Sequence, residues 1–290
     1  MVRYQGTVVR PPSEAHSLIL QVTLGCSHNK CTFCGTYLDK PFRVRPPEEV
    51  FEDIDSVRPY AERVRRVFLA DGNALVLPTG RLKEILERLR SVCPNLRRVG
   101  IYANARDILR KSPEELEDLR RRGLGIVYIG LESGSDEVLR RVKKGADVQQ
   151  QVDAVLRAQQ AGLKTSVICV LGLGGRELSD EHAEETARAL NAMQPNYASF
   201  LTLMLVSGTE LAEQYERGEF ELLDPIEMLV ELRTVVRGLE LKRTVFRTNH
   251  ASNFLALAGT MNEDREKILA ELDRGISGES PLRPEWFRGL

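Results

Sequence analysis

A parallel α/β fold is predicted for this chain of 290 residues. Three observations predict it. Short apolar runs of β character alternate with amphipathic helical stretches, the signature of repeated strand-plus-helix units. The runs, at 18–23, 66–69, 98–102, 126–131, 165–171 and 198–203, start 48, 32, 28, 39 and 33 residues apart. They are also apolar almost without interruption, as in Ile126-Val127-Tyr128-Ile129 and Val167-Ile168-Cys169-Val170-Leu171, which suits strands buried on both faces. Six such units fall short of the eight that close a barrel. A partial, open (β/α)6 barrel is therefore expected, with a doubly wound sheet as the alternative.

Taken in order, residues 1–16 form an N-terminal segment carrying Arg3, Arg10 and Glu14, without the apolar stretch of a signal peptide. The core is expected over 17–210. In it, Leu82, Ile85, Leu86, Leu89 and Val92 recur at helical spacing. Ser112-Pro113-Glu114-Glu115 reads as a capping box with proline at the first helical position. Ser135-Asp136-Glu137 opens a helix expected to close on Lys143-Lys144-Gly145. Beyond 210 the pattern changes. Residues 211–290 read as a mixed extension packed on the core: a turn at Asp224-Pro225, a helix to about Gly238, a strand at 244–247, a polar segment, a helix at 262–274 and an extended tail.

Composition narrows the function classes. Apolar residues at 42% and charged residues at 29% describe a globular chain, and no apolar run approaches the length of a membrane span. A net charge of −1 gives no general attraction to nucleic acid or anionic lipid. Basic clusters such as Arg120-Arg121-Arg122 are interspersed with acids and read as solvated helix faces. Five cysteines, three of them clustered, do not form a secreted disulfide framework, so a cytoplasmic location with reduced thiols is expected.

The chemistry concentrates after the first strand, in Cys26-Ser27-His28-Asn29-Lys30-Cys31-Thr32-Phe33-Cys34. Three thiols on so short a loop point to one shared metal centre. An ordinary four-iron cluster or a closed zinc site takes four protein ligands; three leave one coordination position open for chemistry. The bland alternative is a non-catalytic metal protein, either zinc completed by His28 or an electron carrier. Cys93 and Cys169 are isolated and read as packing residues.

This loop, with Phe33 before the last cysteine, resembles the cluster motif of the radical S-adenosylmethionine (SAM) superfamily, although four residues separate Cys26 from Cys31 where three is usual. Further segments strengthen the resemblance to the methylthiotransferase, elongator catalytic-subunit and NifB-like branch: Asp71-Gly72-Asn73, Ile129-Gly130-Leu131-Glu132-Ser133-Gly134-Ser135-Asp136, Gly172-Leu173-Gly174-Gly175 and Ser207-Gly208-Thr209-Glu210, each after a strand, together with Arg43-Val44-Arg45-Pro46. The resemblance implies a [4Fe–4S] cluster on Cys26, Cys31 and Cys34. It implies SAM contacts from Phe33, Asp71, Gly72, Asn73, Glu132, Gly172 and Gly174. It also implies an external electron donor of flavodoxin or ferredoxin type. No second cluster motif is present, so an auxiliary-cluster enzyme is not expected; a near-neutral charge points to a small-molecule substrate, with an RNA-modifying enzyme of the same superfamily as the alternative. Asn249-His250-Ala251-Ser252-Asn253 reads as a polar loop cap, or as a substrate-facing segment in which His250 carries a proton.

Overall fold

The computed structural model describes residues 2–289. β1 (Leu18–Gln21) leads into a short ribbon of β2 (Thr23–Leu24) and β3 (Arg43–Val44), then α1 (Pro47–Asp55). Next come β4 (Arg66–Ala70) with α2 (Thr79–Val92), and β5 (Arg98–Tyr102) with α3 (Ala105–Arg110) and α4 (Pro113–Arg121). β6 (Leu124–Glu132) is followed by α5 (Asp136–Arg141) and α6 (Val148–Gln160), β7 (Lys164–Leu171) by α7 (Ser179–Met193), and β8 (Tyr197–Thr202) by α8 (Glu210–Glu216). α9 (Pro225–Gly238), β9 (Val245–Arg247), β10 (Ala258–Thr260) and α10 (Arg265–Ile276) complete the chain.

The sheet has eight strands in the order β1-β4-β5-β6-β7-β8-β9-β10. The pairs β1–β4, β4–β5, β5–β6, β7–β8 and β8–β9 are parallel, and β9–β10 is antiparallel. This is the expected α/β class, with β1 and β10 as the two edges among the described residues. The chain divides into two compact units. The first runs to Asn29 and takes in Thr36–Ile129 and Asp153–Thr165; the second takes Lys30–Gly35, Gly130–Val152 and the chain from Ser166 onward.

Local chemistry explains most boundaries. Ser112 caps α4 with the reciprocal bonds of a capping box, and Pro113 takes the position whose N–H would be unpaired. α2 buries Leu82, Ile85, Leu86, Leu89 and Val92, the expected face. The first strand breaks at Val22, whose N–H donates to Ala70 O while its own carbonyl accepts from Arg45 N–H. That residue passes the chain from β4 to the β2–β3 ribbon.

Asp224-Pro225 is the turn that opens α9: Asp224 caps the helix by accepting the N–H groups of Ile226 and Glu227. Three readings change. α5 stops at Arg141, short of the expected lysines. Lys143 takes φ +55° and Lys144 N–H returns to Leu139 O, so the two lysines form a left-handed C-cap instead of a last turn. β10 has no sequence signal, being three residues centred on Gly259. The tail contains a helical turn at Glu285–Phe287.

Candidate active site

In the first unit the site is built around Asp71, at the end of β4. Asp71 is fully buried, and its Oδ2 gathers three donors: Gln21 Nε2, Gly25 N and Lys40 Nζ, each at 3.2 Å. Its Oδ1 is buried with no hydrogen-bond partner. Burial pushes the carboxyl above its ordinary range, and Lys40 and the other donors pull it back only in part. A carboxylate oxygen left bare in a buried position costs about 1–3 kcal/mol, so it calls for a partner that the protein itself does not supply.

Two glycines bring this strand end against the cysteine loop. Gly25 has φ +70°, and a Cβ there would lie 2.4 Å from Lys40 O. A Cβ on Gly72 would lie 2.6 Å from the Tyr37 ring and 2.8 Å from Cys26 Cβ, so only glycine lets the turn rest against Cys26. Asn73 is a brace. Its amide donates to Ser27 Oγ at 2.7 Å and Asp107 Oδ2 at 2.5 Å, and its carbonyl accepts Asn104 N–H at 2.9 Å. Arg45, in the basic stretch, is buried and paired with Asp53 at 2.8 Å.

In the second unit, Cys34 N–H donates to Cys31 O at 3.2 Å, closing a tight turn. Thr32 N–H bonds Val142 O and Thr32 O accepts Leu211 N–H. Phe33 packs on the apolar cluster of Val138, Val142, Val170, Leu173, Leu203 and Leu211. Cys26, Cys31 and Cys34 are all unoxidised and half-buried, the exposure expected of thiols available to a ligand. Cys93 and Cys169 are buried; burial raises both thiols, as packing residues require.

Glu132 ends β6 with φ +65°, a conformation that costs a non-glycine residue about 1–2 kcal/mol. Its carboxylate pairs with Lys144 Nζ at 2.7 Å, both side chains 13% exposed. A Cβ on Gly130 would fall 2.1 Å from Glu132 Oε1, so the glycine makes room for the pair. Gly172, after β7, has φ +79° and donates its N–H to Glu231 Oε1 at 2.7 Å. Gly174 lies so close to Leu178 that a Cβ would come within 3.0 Å of its carbonyl oxygen. Thr209, in the turn after β8, caps α8.

His250 is half-buried. Its Nδ1 accepts Ser252 N–H at 3.1 Å, and burial and Arg283 lower its pKa below the ordinary 6.5, leaving a neutral ring with the hydrogen on Nε2. Its neighbours act as a cap: Ser252 Oγ accepts Thr202 N–H at 3.1 Å, and Asn253 Oδ1 accepts Thr202 Oγ at 2.8 Å.

Sequence reasoning missed Lys40, Lys144, His182 and Glu231. Lys144 carried a partial signal, a base four residues past a helical turn of arginines; the others carried none.

Among the described residues, no three His, Cys, Asp or Glu side chains are gathered tightly enough to hold a single metal ion.

The pattern of the Radical SAM superfamily matches residues 20–190, more than half of the chain. An uncharacterised protein of Methanocaldococcus jannaschii is 25% identical over 218 residues, covering 71% of this chain and 66% of its own length. A tRNA uridine(34) acetyltransferase of Methanocaldococcus infernus is 26% identical over 111 residues, covering 38% and 21% respectively. The solved radical SAM methyltransferase TsrM of Kitasatospora setae, with cobalamin and a [4Fe–4S] cluster bound, shares the fold with a TM-score of 0.56. It is 20% identical, over 69% of this chain and 39% of that one. The chain spans 66% or less of the length of the curated relatives it matches. It belongs to the radical SAM superfamily and is an enzyme of that class, in which a [4Fe–4S] cluster and SAM are the typical cofactors.

Proposed function

We propose that the chain holds a [4Fe–4S] cluster through Cys26, Cys31 and Cys34 and uses it to cleave SAM for hydrogen abstraction from a small-molecule substrate. The observation that carries this reading is the superfamily match combined with three half-buried cysteines on one loop between β2 and β3. Held there, the cluster would supply the single electron for reductive cleavage of SAM to methionine and a 5′-deoxyadenosyl radical.

The chain's residues fit these groups. Gly72 keeps the β4 turn against Cys26, and Asn73 ties that turn to Ser27 on the cysteine loop. The bare Oδ1 of Asp71 is an acceptor suited to an ammonium, the charge carried by the SAM amino group. Glu132, held by Lys144, offers a fixed carboxylate to ribose hydroxyls. Gly172 and Gly174 let the turn after β7 pack directly against Met228 and Leu178, which fixes the backbone offered to the adenine side of SAM, and Phe33 gives the loop an apolar wall. His250, with Nε2–H available, is a hydrogen-bond donor to substrate. An external one-electron donor of flavodoxin or ferredoxin type completes the requirement.

A second reading, an RNA substrate, is favoured by the likeness to tRNA uridine(34) acetyltransferases. The near-neutral charge stands against it. One experiment separates them: anaerobic turnover with deuterated metabolite pools or with deuterated tRNA, following deuterium into 5′-deoxyadenosine by mass spectrometry. Label from metabolites supports the small-molecule reading; label from tRNA alone overturns it.

A further inference from the structure

Helix α9 lies outside the stretch 20–190 that carries the superfamily pattern. Its inner face is apolar, with Met228, Leu232 and Val235 buried, except for Glu231, which is 2% exposed. A carboxylate on a buried helix face is costly unless it is hydrogen-bonded, and a leucine would pack there at no such cost. Glu231 does not serve its own helix. Oε1 accepts Gly172 N–H at 2.7 Å, and Oε2 accepts the Ser179 hydroxyl at 2.6 Å.

The contacts continue to a second strand end. His182, on α7 and 1% exposed, places Nε2 3.6 Å from Glu231 Oε1 and Nδ1 2.7 Å from Ser133 Oγ. Ser133 Oγ also accepts Ser135 N–H at 3.0 Å. His182 bridges Ser133, through a hydrogen bond, and Glu231, through a buried polar contact. The residue after Glu132 and the glycine that ends β7 are thus both tied to one buried carboxylate, 59 residues beyond Gly172.

We propose that Glu231 is a positioning residue of the cofactor site: it sets the Gly172–Gly175 turn directly and the Ser133–Ser135 bend through His182. This rests on the reading that these strand ends contact SAM. It makes α9 a working part of the site.

The test uses the full chain with Glu231→Met, which fills the volume and leaves Gly172 N–H unpaired, and Glu231→Gln, whose carbonyl oxygen still accepts it. In the cluster-free chain, amide exchange over Gly172–Gly175 should be about tenfold faster in the Met variant and near wild type in the Gln variant. In the cluster-loaded enzyme, the Met variant should raise KM for SAM about tenfold with kcat for deoxyadenosine formation within about threefold, and Gln should rescue KM. If Glu231→Met does not fold, Ser179→Ala, which removes one donor to Oε2, should move exchange and KM the same way by a smaller factor. Unchanged exchange, or faster exchange with unchanged KM, overturns the inference and leaves the function standing. A wild-type enzyme that carries its cluster and does not cleave SAM overturns both.

Discussion

Asp71 and Glu132 are two solutions to one problem, a carboxylate with a lysine at the end of a parallel strand. Asp71 is sealed: 0% exposed, three donors on one oxygen and none on the other. Glu132 is less sealed: 13% exposed, with one lysine partner, a left-handed backbone, and a carboxylate that occupies the space left by the missing side chain of Gly130. The difference teaches where stability and function divide. Removing a sealed charge strands its partner in a dry environment, whereas removing an open one lets water in. On the proposed reading, Asp71 bears on folding as well as binding, and Glu132 chiefly on binding.

The contrast can be broken from either side. Asp71→Ala should cost about 3 kcal/mol in urea unfolding, because Lys40 loses its buried counter-charge, while Asp71→Asn should cost less than half of that because it still accepts from Gly25 and Gln21. Equal losses for both variants would show that Lys40 is indifferent to the charge. Gly72→Ala comes next. A methyl group 2.8 Å from Cys26 Cβ must displace the cysteine loop, so iron retained after reconstitution should fall severalfold, with a stability loss of about 1–3 kcal/mol. Glu132→Gln should leave the unfolding midpoint within about 0.5 kcal/mol of wild type and weaken SAM binding about tenfold by titration calorimetry. A stability loss as large as that of Asp71→Ala would erase the distinction.

The smallest effect concerns His250. Its folded pKa lies below the ordinary 6.5, so as pH falls through 6.5 the unfolded chain takes up a proton that the folded chain resists, and stability drops. Above that range the contribution is complete. Replacing His250 with glutamine should flatten the fall in thermal midpoint between about pH 7 and pH 5. An unchanged slope would mean that the ring is not desolvated in solution.

How much of this was readable in advance follows from distance along the chain. The cysteine loop, Asp71-Gly72-Asn73, Glu132 and Gly172-Leu173-Gly174-Gly175 each lie on one short segment at a strand end, so strand periodicity located the segments and the family resemblance singled out the residues in them. Local caps at Ser112 and Ser135 were readable for the same reason. Lys40 meets Asp71 across 31 residues and Glu231 meets Gly172 across 59, and nothing in either segment distinguishes them from solvated charges before the chain is folded. Asn73 shows the converse: its place was readable, but its work, bracing Ser27, Asp107 and Asn104, depends on three partners brought in by tertiary structure. The lysines after α5 were misplaced because a left-handed cap and a last helical turn draw on the same basic residues.

The most direct measurement is deoxyadenosine formation by the anaerobically reconstituted, dithionite-reduced chain, compared with variants carrying alanine at Cys26, Cys31 or Cys34. The account predicts 5′-deoxyadenosine and methionine in equal amounts from wild type and none above background from each variant. A cysteine variant that still cleaves SAM, or a wild-type enzyme that holds its cluster and leaves SAM intact, would contradict it.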